Sequence, residues 1–110
     1  MELEQKCFEI NGTLIKNFAT EMGITVTDLE DKIKLVAHHE KLLNMSTQVA
    51  DAYKKNPNIN VNFGDYGANL AKELDLDPDT MYRAIGLCAT NGLLMGIVNQ
   101  LHQVYQRSNT

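Results

Sequence analysis

Tryptophan is absent from this chain, and the other aromatic residues are only four tyrosines and three phenylalanines. The core must therefore be built from Leu, Ile, Val, Met and Ala. There are two prolines, and few runs of β-branched residues lie outside 24–27 and 59–61. This scarcity of helix breakers and strand formers predicts an all-α fold.

Cysteine is nearly absent too, since Cys7 and Cys88 are the only two. They form neither a metal-type spacing nor a disulfide framework, which favours a reducing, cytoplasmic setting. The start of the chain has no basic region followed by an apolar one, and no run reaches the roughly 18 apolar residues of a membrane span. We expect a cytoplasmic protein without membrane attachment.

Basic charge is in deficit, because 10 Lys and Arg face 14 Asp and Glu, for a formal net charge of −4. An acidic balance argues against non-specific binding to nucleic acid or to anionic membranes. A chain of 110 residues is long enough to bury a core without metals or disulfides. We therefore predict a single all-α domain over 1–110.

The chain contains an internal repeat. Shifted by 52 positions, residues 12–55 align with 64–107 without a gap, and ten of the 44 pairs are identical. Roughly three identities are expected by chance from average residue usage. The repeat predicts two helix-turn-long-helix units related by a pseudo-two-fold, joined by a linker at 56–63 and preceded by a short helix at 2–10.

The first copy carries clear helix signals. Thr13 is placed to cap its short helix, and Gly23 to close that helix in the left-handed conformation. Thr25, with Asp28 three residues later, predicts the start of a long helix that continues to Lys55.

The second copy repeats the plan with other residues. Asp65 stands at the first cap, Asp75 at the left-handed position and Asp77 at the second cap, followed by Pro78 at the first helical position. Asn91-Gly92 is a plausible helix stop. Because the first copy shows no break at the matching positions, we predict one continuous helix to about Arg107.

Residues 84–106 contain no charged side chain. A helix that is apolar on all sides is buried at the centre of a fold or in an oligomer interface. Glycines in this stretch are expected to allow close approach of another backbone. We predict a homodimer with its interface at Leu93, Leu94, Ile97, Val98 and Leu101.

The turn of each copy carries a packing motif. It consists of Phe18-Ala19-Thr20-Glu21-Met22-Gly23-Ile24 with Leu29 and Ile33, and of Leu70-Ala71-Lys72-Glu73-Leu74-Asp75-Leu76 with Met81 and Ile85. Over about 17 residues per copy this pattern resembles the helix-turn-helix family of DNA-binding proteins, although Asp75 replaces the turn glycine in the second copy. The resemblance implies a DNA-binding transcriptional regulator.

The helices after these turns supply candidate contacts with a protein partner or with DNA. The candidates are Asp28, Asp31, Lys32, Asp79, Thr80, Tyr82 and Arg83. A recognition helix presents basic or amide side chains to the major groove. The first helix presents mainly carboxylates, so a protein partner is the stronger expectation.

A histidine pair offers a second alternative. His38 and His39 with Lys41 resemble the active helix of histidine phosphotransfer domains, but Leu42 and Leu43 replace the small residues that follow the lysine there. Adjacent histidines on a helix point about 100° apart and do not readily share one metal ion.

No catalytic constellation or phosphate-binding loop is evident. Asp75, Asp77 and Asp79 resemble the start of an EF-hand loop, but Thr80 and Gly86 replace its glycine and its bidentate glutamate. We therefore expect no catalytic, metal or cofactor-binding residues and no cofactor. The sequence predicts a non-catalytic, small helical regulatory or interaction protein that binds another macromolecule, above all a protein.

Overall fold

The computed structural model describes residues 2–108, which form an all-α helical bundle. Its helices are α1 (Glu2–Ile10), α2 (Gly12–Met22), α3 (Val26–His38), α4 (Glu40–Lys55), α5 (Gly64–Glu73), α6 (Pro78–Ala89) and α7 (Gly92–Ser108). The predicted short helix at 2–10 is confirmed. Residues 56–63 connect α4 to α5 without helix.

Three helices start at the same 52-residue offset in both parts of the chain. α2 and α5 begin at Gly12 and Gly64, α3 and α6 at Val26 and Pro78, and α4 and α7 at 40 and 92. We call α2–α4 the first half of the molecule and α5–α7 the second half. The last helix of each half packs against the other half, α7 on α3 and α4 on α6, so a site at the α3–α4 or α6–α7 corner is named by the half that contains the corner, although the opposite last helix completes it.

The prediction of one long helix in each copy is wrong. α3 ends at His38, and His39 has an extended backbone, with φ −116° and ψ 107°. In the second half the break falls at Thr90 and Asn91, and α6 and α7 are bent by 113°. These corners allow α4 and α7 to pack across the opposite half, a tertiary requirement that a continuous apolar stripe does not reveal.

The second break also has local support. Asn91 Oδ1 accepts a hydrogen bond from the Leu93 backbone N–H at 2.8 Å, and Thr90 Oγ1 donates to the Leu87 carbonyl at 2.7 Å. His39, in contrast, makes no side-chain cap for α4. The first corner therefore leaves no capping signal in the sequence.

The turn and cap signals of the second helices are confirmed. Gly23 and Asp75 adopt positive φ values of 72° and 57°. Thr25 Oγ1 accepts from the Asp28 backbone N–H at 3.0 Å, and Asp77 performs the same function for Thr80 at 3.1 Å.

The caps predicted for the first helices are wrong. α2 and α5 begin at glycines, one residue before Thr13 and Asp65. The Asn11 backbone N–H bonds to the Cys7 carbonyl at 3.2 Å, so α2 starts in a tight turn from α1 rather than at a free cap. At α5, Asn62 Oδ1 accepts from the Gly64 backbone N–H at 2.9 Å.

The core lies where the two halves cross. α3 packs against α6 and α7, and its counterpart α6 packs against α3 and α4, as a pseudo-two-fold relation requires. Several residues at matching positions are fully buried on both sides. They are Leu29 and Met81, Ile33 and Ile85, Val36 and Cys88, and Leu42 and Leu94.

The predicted dimer interface is not a surface of this fold. Four of its residues are at most 2% exposed, because they face the core of their own chain; these are Leu94, Ile97, Val98 and Leu101. Leu93 alone, 58% exposed, remains available to a partner.

Within residues 2–108, no single helix has both the length and the hydropathy that a membrane span requires. α6 and α7 meet these criteria only together, across their 113° bend.

Candidate binding groove

A groove of about 400 Å³ lies between α4 and the start of α7. We call it the α4–α7 groove. We call its apolar and small lining residues the wall and its four exposed polar lining residues the rim. The wall residues are Ala50, Tyr53, Ala89, Thr90, Gly92, Met95 and Gly96, and the rim residues are Thr47, Asp51, Lys54 and Asn99.

Glycines on α7 help to keep this groove open. A Cβ atom added to Gly92 or to Gly96 would meet no atom within 4 Å, and the same is true of Gly86. The expectation that these glycines allow close backbone approach is therefore wrong. Close approach occurs instead at Gly67, where a Cβ would lie 2.6 Å from Phe63 Cβ.

The matching region lies where the α3–α4 corner of the first half meets α7, and it contains two imidazole rings. The ring of His38 stacks on Tyr105 with centroids 3.7 Å apart and planes inclined by 9°. His102 Nδ1 lies 2.8 Å from the carbonyl oxygen of Ala37. A carbonyl oxygen only accepts, so Nδ1 carries the hydrogen of this bond.

The second half has small residues at these positions. Thr90 stands 52 residues after His38, and Ala50 stands 52 residues before His102. Along the first turns of the last helices, Glu40 and Asn44 of α4 correspond to Gly92 and Gly96 of α7. The groove thus opens where ring-bearing and longer side chains are replaced by shorter ones.

The two matching tyrosines have different surroundings. Tyr105 is 5% exposed, and its hydroxyl donates to Glu4 Oε2 at 2.5 Å. This bond, together with Lys34 at 3.6 Å, lowers the pKa of Glu4, while burial and the bond to Glu4 raise the pKa of Tyr105. Tyr53 is only half-buried and lines the groove, and no described residue forms a hydrogen bond with its hydroxyl.

Two further cavities adjoin the groove at Thr90. One, of about 470 Å³, lies between Tyr53 and the linker, where it is lined by Pro57 and Ile59. The other, of about 320 Å³, lies beside Phe18 on α2. Ile59 is 39% exposed, so apolar surface extends outward from the groove toward the linker.

The charges around the groove are balanced, because its lining includes one carboxylate, Asp51, and one ammonium group, Lys54. Such a surface does not concentrate charge of one sign. The groove therefore suits a neutral ligand group better than a polyanion.

The structure brings together three of the predicted contact residues. Asp28 pairs with Lys32 at 3.0 Å on α3 and with Arg83 at 3.8 Å on α6. Asp31 and Asp79 are exposed and lie outside this cluster. Both basic candidates are thus engaged with a carboxylate of the same chain.

The other two predicted contacts are also engaged within the fold. Thr80 donates from its hydroxyl to Asp77 at 2.9 Å. The ring of Tyr82 stacks on Phe63 with centroids 5.1 Å apart.

The histidine pair belongs to no acid–base cluster of the described residues. His39 forms the corner between α3 and α4, where burial and then the neighbouring His38 lower its pKa. Lys41 Nζ pairs with Glu73 at 2.7 Å. Among residues 2–108, no group of three His, Cys, Asp or Glu side chains is arranged to hold a metal ion.

Neither cysteine has the surroundings of an activated nucleophile. Burial raises the pKa of Cys7, and it raises the pKa of Cys88 to about 12. Both thiols are therefore protonated at neutral pH, whereas the thiolate is the reactive form.

The groove was not identified from the sequence, although the repeat contained a signal for it. Two matched pairs place a histidine at one corner and a small residue at the other: His38 with Thr90, and His102 with Ala50.

Comparison with protein-family models, with curated proteins and with solved structures gave no match for this chain.

Proposed function

We propose that this chain is a non-catalytic helical interaction protein that regulates another protein by binding it at the α4–α7 groove. The observation that carries the proposal is the contrast between the two corners: His38 and His102 make packing contacts at the α3–α4 corner, whereas the matching Thr90 and Ala50 line an open groove at the α6–α7 corner. A cytoplasmic setting fits both cysteines, which are free.

The dimensions and surroundings of the groove support a binding role. Its volume of about 400 Å³ lies within the range of roughly 300–1,000 Å³ that is typical of ligand sites. Leu93, next in sequence to Gly92 at the groove wall, is 58% exposed, and Ile59 exposes further apolar surface at the linker.

The alternatives receive less support. A helix-turn-helix protein needs free basic side chains on its recognition helix, but Lys32 and Arg83 both pair with Asp28. His38, the candidate for phosphotransfer, is exposed, but its ring is stacked on Tyr105 and the nearby Lys41 pairs with Glu73.

Affinity capture from the source cell, followed by a binding assay with the purified partner, tests the proposal. The groove-closing variant Ala50→His/Thr90→His introduces the histidines found at the matching positions, His102 and His38. Thr27→His/Ala68→His changes the same residue types at exposed positions outside the groove lining and is the matched control. We expect the partner to bind the wild type and the control equally and the closed variant at least about tenfold more weakly.

Equal binding of the partner by the closed variant would reject the groove as the docking surface. Light scattering identifies the case in which the partner is a second copy: the wild type would then be dimeric and the closed variant monomeric. Binding of duplex DNA at low salt, in place of a protein partner, would favour the DNA-binding alternative.

A further inference from the structure

We propose that the α4–α7 groove receives a histidine side chain of the protein partner, whose imidazole ring stacks on Tyr53 and donates an N–H hydrogen bond to the Ala89 carbonyl. This inference rests on the proposed function and names the chemical group that the groove recognises.

The stacking surface is suggested by the first half of the molecule. There, Tyr105 holds an imidazole ring nearly parallel to its own, at 3.7 Å between centroids. Tyr53 is the matching tyrosine, but Thr90 replaces the histidine that would cover it. Among the described residues no aromatic ring stacks on Tyr53, which instead lines the groove.

The hydrogen-bond acceptor follows from the helix corners. α3 and α6 both end in a sharp corner, and the carbonyl groups of a last helical turn lack intrahelical donors. At the α3–α4 corner a second ring, the His102 imidazole rather than the His38 ring that stacks on Tyr105, donates to one of these groups, the Ala37 carbonyl, at 2.8 Å. In the groove one partner ring takes both roles. At the matching corner Ala89 lines the groove, and Ala50 offers no side-chain donor.

The walls favour a neutral heteroaromatic ring over a charged group. Asp51 and Lys54 balance each other at the rim, while Met95 and the α7 glycines form an apolar wall. Neutral imidazole can make both proposed contacts, because it has a flat face that stacks on Tyr53 and one N–H group that donates to the Ala89 carbonyl.

The side-chain analogue 4-methylimidazole tests this proposal without knowledge of the partner. At about pH 8 the ring is neutral, and its binding is followed by amide chemical shifts of the full chain. We expect saturable shifts at residues 50, 53, 89–92 and 96. The matched probe 1,4-dimethylimidazole stacks but cannot donate, and we expect it to bind about tenfold more weakly.

Three variants complete the experiment. Tyr53→Leu keeps apolar bulk but removes the ring, and we expect a loss of affinity of about fivefold or more. Ala50→His/Thr90→His should abolish saturable binding, and Thr27→His/Ala68→His should bind as the wild type does. Gly96→Asn, which introduces the residue found at Asn44, is a second closing variant should the double variant fail to give a dispersed spectrum.

The outcomes separate this inference from the proposed function. Absence of saturable shifts, equal binding of the two probes, or undiminished binding by the closed variants would overturn the histidine proposal. If partner capture still depends on an open groove in that case, the proposed function stands with a different recognised group. If the ring binds as expected but closing the groove leaves partner capture unchanged, the ring site stands and the proposed function fails.

Discussion

The two halves of the molecule share a scaffold but differ at its corners. At the α3–α4 corner of the first half, His38 stacks on Tyr105 of α7. At the α6–α7 corner of the second half, Thr90 and Tyr53 of α4 line an open groove. The helix starts, the left-handed turns and the buried positions correspond at 52-residue spacing, so a few side chains are enough to open a site without changing the backbone plan.

The segments that precede the two halves also differ. α1 is a helix whose Glu4 and Phe8 contact other elements, with Lys34 placed 5.5 Å from the Phe8 ring centroid. The linker at 56–63 has no helix, and its Ile59 remains partly exposed beside Tyr53. The helix α1 therefore covers the side of the molecule that contains Tyr105, whereas a non-helical linker lies beside Tyr53.

The largest expected effect concerns the buried core residues that the two halves share. Ile33 and Ile85 match at 52-residue spacing and are both fully buried. Each replacement by Ala should lower the free energy of unfolding by about 2–5 kcal/mol, since it removes buried methyl groups and leaves a cavity. Urea denaturation of the two variants should give similar losses. A loss below about 1 kcal/mol for one of them would show that the cores of the two halves are not equivalent.

The next prediction concerns the two tyrosines. Tyr105→Phe removes the hydrogen bond to Glu4 and should lower the free energy of unfolding by about 1–2 kcal/mol. Tyr53→Phe should change it by less than about 0.5 kcal/mol, because its hydroxyl bonds to no described residue. Thermal unfolding of both variants measures the difference. Equal losses would contradict the contrast between a closed and an open half.

The Tyr105 contribution should depend on pH. The hydrogen bond lowers the pKa of Glu4 from its ordinary value of 4.5, so folding favours the ionised carboxylate. This contribution is complete above about pH 4.5 and is lost as pH falls through the lowered pKa. The stability gap between wild type and Tyr105→Phe should therefore narrow between about pH 6 and pH 3. A gap that widens on acidification would contradict this linkage.

The left-handed turns provide a smaller and reciprocal test. Asp75 has φ 57°, which a side chain adopts at some cost, whereas Gly23 has φ 72° at little cost. Asp75→Gly should stabilise the protein by up to about 1 kcal/mol, and Gly23→Asp should destabilise it by about 1 kcal/mol. Chemical denaturation gives both values, and effects of the same sign would show that the two turns are not equivalent.

The smallest effect is expected at a matched pair whose two side chains differ in type but are equally buried. Val36 and Cys88 match and are both fully buried. Exchange by Val36→Cys or Cys88→Val nearly conserves volume and should cost about 0.5 kcal/mol, at the low end of volume-conserving core exchanges. Native Cys88 should also resist thiol reagents at about pH 8, because burial raises its pKa to about 12. Rapid labelling of Cys88 by a thiol reagent in the folded protein would show that this part of the core opens.

Local signals in the sequence predicted much of the fold. Thr25 and Asp77 identify helix starts through caps that the structure contains, and Gly23 identifies a left-handed turn. The corner at His39 carries no such signal, because packing between the halves produces it. The sequence predicts a dimer interface on α7 for a related reason, because apolar periodicity does not reveal whether the burying surface belongs to the same chain.

The groove depends on position rather than on residue type, so its residues did not stand out in the sequence. Thr90 and Ala50 have no distinctive chemistry by themselves. Their significance comes from the histidines at the matching positions, whose contacts become visible only when the helices are placed in space.

The most direct test of the central claim is the crystal structure of Ala50→His/Thr90→His. We predict that the imidazole at position 90 stacks on Tyr53 with a spacing close to the 3.7 Å of the first half, and that the imidazole at position 50 bonds to the Ala89 carbonyl as His102 bonds to Ala37. The groove would then be closed and the helices unmoved. Rings turned toward solvent above an open groove, or a displaced α7, would contradict the equivalence of the two sites.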